Sequence, residues 1–575
     1  MKNRKHPTSQ PNRNTRTKHP IRFSELFPIV LFALSWMGLI ALTYYTSGNI
    51  LDADASNVLV LSNFLAQENA VMSTGWRYYT ELHVANMQLV YSLFFRLFDS
   101  WRLVRFLGTV TLQLLLVLSY RFFCQQAGIS RKAFFYSASV MLLPISVTYA
   151  RIVLLHGHYA FHISLAFLIL GLLLRLSRVP SGKKRSFRIL AAVYLFLCFL
   201  SGTNGMRQLF ISLAPACVLS LCLFLRSDSF SGIARRERST RTLAVSELYR
   251  SAETSTESRA FFLAALGAVA NVAGIALNTL VLRKFFGFST YYSMQTVSVY
   301  LENLDAMLND LLNLFGYRFD ARVFSTEGIC SLFAVMSFLL AVGLSLWYLN
   351  RRDKGVPYAK RFSAAVFLSA LTVESFIFLL TFNYFIHYYT PVFILIVPLI
   401  ANLIDEFPTR CVRLPALCAA VMSFGFFISG FVTSNFLVNR PENYVTEYEG
   451  LTYSNIDLVE QIRPAAQYLS DNGYTFGYAY YWDSSVVTEL TDGRVEVCAL
   501  DETPSDITYS YANTKKAFWD IDYHQGKTFA LFETKDTDWQ SYPIFAGGNE
   551  VYCDDYYRII EYPAPLPFER SPFAE

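Results

Sequence analysis

The stretch NILDADASNVLVLSNFL, residues 49–65, sets two carboxylates, Asp52 and Asp54, where the first long apolar segment ends. A carboxylate at an apolar boundary is a candidate general base, because lost hydration raises its pKa towards neutrality. A positioned base contributes about 10²–10⁴-fold in rate. Asp54 and Asp52 are both candidates for that role, and Asp52 is alternatively a metal ligand. The plainer reading of Asp54 is an N-cap for the helix that follows. Glu81, in YYTELH, is a third acid in the same loop, either a ligand contact or a solvated loop residue. Among the cations, Arg105 in LVRFLG is the best anion partner, with Arg102, Arg151 and Arg207 as alternatives. Guanidinium groups grip oxyanions in a bidentate fork. An arginine at a helix end also simply reaches out to the interface.

Histidines add a further set. His156, His158 and His162 form H-x-H-x₃-H, and the last two share a helical face, which is a metal-ligand spacing. Hydrogen-bonded rim histidines are the alternative, and no metal ligands are assigned. The turn holding Tyr384, His387, Tyr388 and Tyr389 offers rings that could cradle a polar headgroup, although aromatic belts occur at most membrane interfaces. Glu374, in LTVESFIF, is the one acid deep within an apolar segment. Such acids are costly and often functional, but packing within a bundle accounts for it equally, and it stays outside the candidate site.

The elements that must position these groups are membrane helices. The chain has 575 residues, 53% hydrophobic and 16% aromatic, and only 16% are charged, against about 25% in a soluble protein. Mean hydropathy is +0.31. Apolar runs of bilayer-spanning length recur through the first three quarters. Eleven spans are expected, near 27–46, 103–124, 133–150, 157–176, 189–203, 207–226, 260–282, 328–349, 362–381, 384–404 and 413–434. Two shorter amphipathic helices, about 55–68 and 86–98, are expected to lie in the interface plane. The first would turn Val58, Leu61, Phe64 and Leu65 to one side.

Charge sets the expected orientation. Residues 1–25 carry seven Lys/Arg and one acid, and residues 435–575 carry nine Lys/Arg and 24 acids. The positive-inside rule keeps the basic tail, 1–26, in the cytoplasm. With 86–98 lying flat, most dense basic clusters fall in cytoplasmic loops, including SRVPSGKKRSFR and RRDKGVPYAKR. The first loop, 47–102, and a loop at 283–327 then lie on the outer face. So does an α/β domain formed by residues 435–575. In that domain, 456–473 reads as a helix ending at Gly473. YTFGYAYYW, VEVCAL, TFALFE and YRIIEYP read as strands. Cys498 and Cys553 could pair if that face is oxidising. Nothing suggests nucleic-acid binding, and no internal repeat is visible.

This organisation resembles the GT-C glycosyltransferases, polytopic enzymes that use lipid-phosphate sugars, and the protein O-mannosyltransferase and aminoarabinose transferase types in particular. The resemblance rests on LDADAS, the two flat helices, Arg105 opening the second span, and the outer C-terminal domain. It covers roughly residues 20–330. It implies a plasma-membrane enzyme moving a sugar from a polyprenyl-phosphate donor to a glycan, lipid or protein acceptor. Asp54, whose place before the flat helix best matches the acid of that family, would be the base with Asp52 as the alternative, and Glu81, Arg105, Arg102, His156, Arg207 and His387 would hold substrate. The cofactor is left open, divalent metal included. Two positions depart from the pattern. RIVLLHGHYAFH puts His156 where many members have an acid, and GTNGMRQ puts Asn204 and Arg207 where many have Thr-Lys. A transporter of a lipid-linked glycan and a non-catalytic membrane scaffold are the alternatives.

Overall fold

The computed structural model of the chain describes residues 23–79, 82–179, 184–227, 255–289, 297–319, 321–351, 356–378, 386–406, 413–439, 445–448, 451–454, 459–502, 507–510 and 512–570. Eight helices among them are long and apolar enough to cross a membrane: Glu25–Thr46, Trp101–Ala127, Ala160–Ser177, Lys184–Gly202, Thr256–Lys284, Thr326–Asn350, Ile386–Glu406 and Arg413–Asn439. The chain is a multi-pass membrane protein with a C-terminal sheet domain. Of the other three expected spans, two are interrupted for local reasons, and the third, 362–381, ends in residues outside those described. The run at 133–150 stops as a helix at Met141 and resumes only at Val147, since Pro144 offers no N–H to continue the ladder. The run at 207–226 becomes a shorter apolar helix, Leu209–Leu225, whose first turn is π-helical. The third is helical as far as it is described, Tyr358–Phe378, with Lys360 and Arg361 in its first turn and Glu374 within it.

We label α1 (Phe23–Thr46), α2 (Ala53–Gln67), α3 (Met87–Phe95) and α4 (Trp101–Ala127). Helices α2 and α3 are the two expected short ones, with α2 starting two residues earlier than its apolar pattern indicates. At 1.5 Å per residue, α3 is about 13 Å long, far less than the roughly 30 Å hydrocarbon thickness. The apolar face of α2 differs from expectation: Leu59, Val60 and Leu65 are buried, while Val58, Leu61 and Phe64 are only partly so. Its buried positions fall on several sides because it is covered twice, by the bundle and by the C-terminal domain.

In that domain an antiparallel pair, β3 (Val445–Tyr448) and β4 (Leu451–Ser454), precedes the helix Val459–Asp471, which ends where Gly473 takes φ +72°, a left-handed conformation glycine adopts at little cost. Strands β5 (Phe476–Tyr480), β6 (Glu496–Glu502), β7 (Ile507–Tyr509), β9 (Thr528–Glu533), β10 (Asn549–Cys553), β11 (Tyr557–Tyr562) and β12 (Glu569–Arg570) make one sheet, ordered β10-β11-β9-β5-β6-β7-β12. The four expected strands are present, but the first ends at Tyr480, and Tyr481–Leu490 is a helix instead. Cys498 lies buried in β6 and Cys553 exposed in β10, four places apart in the sheet, and both are free thiols. The expected pairing is thereby ruled out, because a disulfide needs Cα atoms within about 7 Å.

Three distant parts of the chain meet in a second sheet. Strand β1 (Trp76–Tyr79) of the first loop pairs in parallel with β2 (Phe288–Ser289) and antiparallel with β8 (Thr514–Lys515) of the C-terminal domain. Leu51, just ahead of α2, is buried in the apolar core of that domain with Val459, Ile462, Val486 and Leu531. The domain is therefore seated on the loop that carries Asp52 and Asp54.

Candidate functional site

The site is built around an interrupted helix. Ser146 caps a short turn by accepting from Tyr149 N at 3.2 Å, and the chain then widens into a π-helix over Ala150–Leu155. The His156 N–H donates to the Arg151 carbonyl at 2.8 Å. This five-residue spacing leaves Arg151 and His156 on neighbouring sides of the turn. Gly157 then reverses the chain at φ +76°, where a Cβ would lie 2.6 Å from Leu112 Cδ1, so only glycine fits. The carbonyls freed at the end of the turn are all satisfied. Gln113 Nε2 donates to Leu154 O at 2.8 Å, Thr109 Oγ1 to Leu155 O at 3.3 Å, and Tyr91 Oη to His156 O at 3.3 Å. Helices α3 and α4 thus fix the turn in place, as buried carbonyls require. Single-turn π segments inside helices often mark functional sites.

Asp52 meets this turn. It is the N-cap of α2, and its Oδ1 accepts from Ala55 N at 2.7 Å. The expected capping role thus belongs to Asp52, while Asp54 sits in the first turn. Asp52 Oδ2 accepts from Arg151 Nη2 at 2.9 Å and lies 3.0 Å from His156 Nδ1. His156 Nε2 is 3.3 Å from the Ile50 carbonyl. Burial alone would raise the Asp52 carboxyl, but His156, then Arg151 and His158, hold it well below the ordinary carboxylate range. His158 packs edge-on to His156, ring centres 5.9 Å apart. Burial pushes its imidazole down to about 3, with His156, Arg105 and Arg207 adding to the shift and Asp52 opposing it.

A second cation reaches the same region. The Arg207 guanidinium lies over the Tyr159 ring at 5.1 Å, and the His387 ring is 6.3 Å from Tyr159. His162 lies apart from Asp52 and faces Tyr159 and His83. The residues that converge are therefore Asp52, Arg151, His156 and His158, with Arg207, Tyr159 and His387 beside them. The shared helical face of His158 and His162 gives way to His156 with His158, because the helix begins only at Ala160 and leaves His158 in the turn ahead of it. Asn204 anchors the first loop, accepting from Ala85 N at 2.9 Å and donating to Ala85 O at 2.6 Å. Asn278 Nδ2 adds a bond to Leu82 O at 2.8 Å.

Ligand atoms of Asp52, His156 and His158 lie within 4.8 Å of one another, close enough for a metal ion. The set does not fit a divalent cation. One Asp52 oxygen caps α2 and the other holds Arg151, so a cation would have to displace a guanidinium from its carboxylate. Guanidinium groups, neutral imidazole and a tyrosine ring suit an oxyanion instead.

The remaining expected residues lie elsewhere. Arg105 is 2% exposed, and its Nε donates to Glu489 Oε1 at 2.5 Å while Nη2 donates to the other carboxylate oxygen. Arg105 thus grips a carboxylate of the C-terminal domain in this structure. Arg102 is exposed and stacks on Tyr44 at 5.3 Å, reaching out at the end of α1. Asp54 is exposed and accepts from Tyr481 Oη at 3.0 Å. Glu81 and Tyr384 lie outside the described residues. Glu374 is buried in the bundle, away from this cluster. Sequence reasoning missed Tyr159, Tyr481, Ser485 and Glu489. The last three recur every fourth residue, a helical stripe that the aromatic run YAYYW obscures.

No known family matches the chain by sequence, and no curated protein matches it. Several solved structures are similar to it, and three serve as examples. ArnT from Cupriavidus metallidurans bound to undecaprenyl phosphate aligns at 10% identity and TM-score 0.49, over 93% of this chain and 98% of that one. An Archaeoglobus fulgidus oligosaccharyltransferase tethered with an acceptor peptide aligns at 12% identity and TM-score 0.44, over 89% and 69%. The mycobacterial arabinofuranosyltransferase AftD aligns at 12% identity and TM-score 0.43, over 94% and 40%.

Proposed function

We propose that the chain is an integral membrane glycosyltransferase of GT-C type. It transfers a sugar from a polyprenyl-phosphate donor to a cell-envelope acceptor, at the membrane face where the C-terminal domain sits, away from the cytoplasm. The observation that carries this reading is the convergence of Arg151, His156 and His158 on Asp52, with Arg207 stacked on Tyr159 beside them and Asp54 in the first turn of the same helix. Arg151 and Arg207 hold the donor phosphate by charge-assisted hydrogen bonds. Neutral His158 can donate to a phosphate oxygen, and Tyr159 and His387 offer faces to a sugar or lipid headgroup. Asp52 stays ionised and fixes Arg151 and His156. Asp54, exposed to the acceptor, takes the proton of its hydroxyl as that oxygen attacks the anomeric carbon. The bond from that carbon to the phosphate oxygen breaks, and polyprenyl phosphate leaves with inversion. Arg105 contributes through Glu489 rather than by touching phosphate.

The test is the Asp54→Asn enzyme in detergent with a lipid-linked sugar. Transfer should fall by about 10²–10⁴-fold with unchanged thermal unfolding. Full activity would remove Asp54 as the base.

A further inference from the structure

The helix Tyr481–Leu490 presents three polar side chains at four-residue intervals, the spacing that lines up one helical face. Each meets a partner on the first loop or at the start of α4. Tyr481 Oη donates to Asp54 Oδ1 at 3.0 Å, Ser485 Oγ donates to Asn57 Oδ1 at 2.5 Å, and Glu489 receives Arg105. Just beyond the helix, Asp492 accepts from Trp101 N at 3.0 Å, at the first residue of α4. Asp492 takes φ +51° and Gly493 φ +72° to make that reach, and a Cβ on Gly493 would lie 2.8 Å from Trp101. A residue other than glycine at φ > 0 is uncommon, so the turn is shaped to this contact. Asn513 Nδ2, from the same domain, donates to Tyr481 Oη at 3.1 Å. This leaves the hydroxyl hydrogen for Asp54. The Tyr481 ring lies 6.4 Å from Tyr79 and 5.4 Å from Trp482.

We infer that the C-terminal domain is part of the active site, and that Tyr481 is a positioning residue for the Asp54 carboxylate. Asn513 fixes the direction of the Tyr481 hydroxyl, and Tyr481 fixes one oxygen of Asp54 and so the rotation of its carboxylate. Ser485 and Glu489 hold the helix in register, so that Tyr481 arrives at Asp54 and not one turn away. This inference rests on the reading of Asp54 as the base. It adds that the soluble domain tunes the base.

The experiment compares the wild type, Tyr481→Phe and Asp54→Asn as full-length chains in detergent, with a lipid-linked sugar donor. Tyr481→Phe keeps the ring and loses only the hydroxyl. Its kcat should fall about tenfold at unchanged KM for the donor and unchanged Tm. A donated hydrogen bond favours the ionised carboxylate, so its loss raises the pKa of the base. The acid limb of the kcat–pH profile should therefore move to higher pH. An inactive Asp54→Asn beside a Tyr481→Phe enzyme with wild-type kcat and pH profile would overturn the inference and leave the base standing. A fall in kcat with an unmoved pH profile and a lowered Tm would reduce Tyr481 to a packing role and overturn it too. Full transfer by Asp54→Asn would remove the base, and this inference with it.

Discussion

Asp52 and Asp54 are two residues apart and are held by opposite halves of the molecule. Asp52 is fixed from below, by Arg151 and His156 of a π-helical turn inside the bundle. Asp54 is touched from above, by Tyr481 of the C-terminal domain. The first attachment is nearly buried and ionic, so Asp52 is a poor base and a good anchor. The second joins a hydroxyl to an exposed carboxylate. The difference shows how one short D-x-D stretch can separate two settings, one ionic and enclosed by the bundle, the other hydrogen-bonded to a separate domain and open to solvent.

The comparison breaks most sharply at the upper attachment. Glu489→Ala leaves the Arg105 guanidinium buried without its carboxylate, and should cost about 3–5 kcal/mol of stability. Replacing both partners, as Arg105→Met with Glu489→Leu, should restore most of it, since removing a buried pair is often neutral. Unfolding monitored by tryptophan fluorescence in detergent reads both, and equal losses in the single and double variants would show that the pair is not what holds the domain down. Next comes the lower attachment. Asp52→Asn keeps the cap oxygen but loosens Arg151 and His156, and transfer should fall by about 10²-fold, the scale of a small misplacement of binding groups. Most of the loss should appear in KM for the lipid donor. A loss confined to kcat would make Asp52 the base instead.

The smallest effect sharpens the picture of the lower site. An unfolded histidine takes up a proton near its ordinary value of 6.5, while His158 in the fold stays neutral down to about 3. The unfolded chain therefore binds more protons between those values, and stability is lost as pH falls below 6.5. Thermal unfolding at pH 5 should come at lower temperature than at pH 7.5, and His158→Gln should flatten that dependence. An unaltered slope would assign it to other groups.

Much of this was legible from residue order, and the failures have physical causes. The acid pair, the short helices, Arg207, His156 and His387 stand out because their types conflict with apolar surroundings. The helix start moved from residue 55 to Ala53 because the cap is decided by backbone geometry at Asp52, not by the first apolar residue. The expected span at 133–150 failed at Pro144, and the π-helical turn beyond it carries no sequence signal apart from Gly157. Tyr481 reads as strand because it lies within an aromatic run, and its helix begins at Tyr481 behind an N-cap, Tyr480, that makes no side-chain cap bond. The role of Arg105 was hidden for a different reason. Its partner is 384 residues away in sequence, and no local pattern can reveal a contact that only the docked domain creates.

The three-stranded sheet that joins β1 to β2 and β8 has a consequence for biosynthesis. At ordinary elongation rates, on the order of tens of seconds separate the emergence of Asp54 from that of Tyr481, 427 residues later. Through that interval the acidic loop waits at the membrane surface without β8 and without the helix that carries Tyr481. Asp54 and Asn57 gain their partners from that helix only when the C-terminal domain docks.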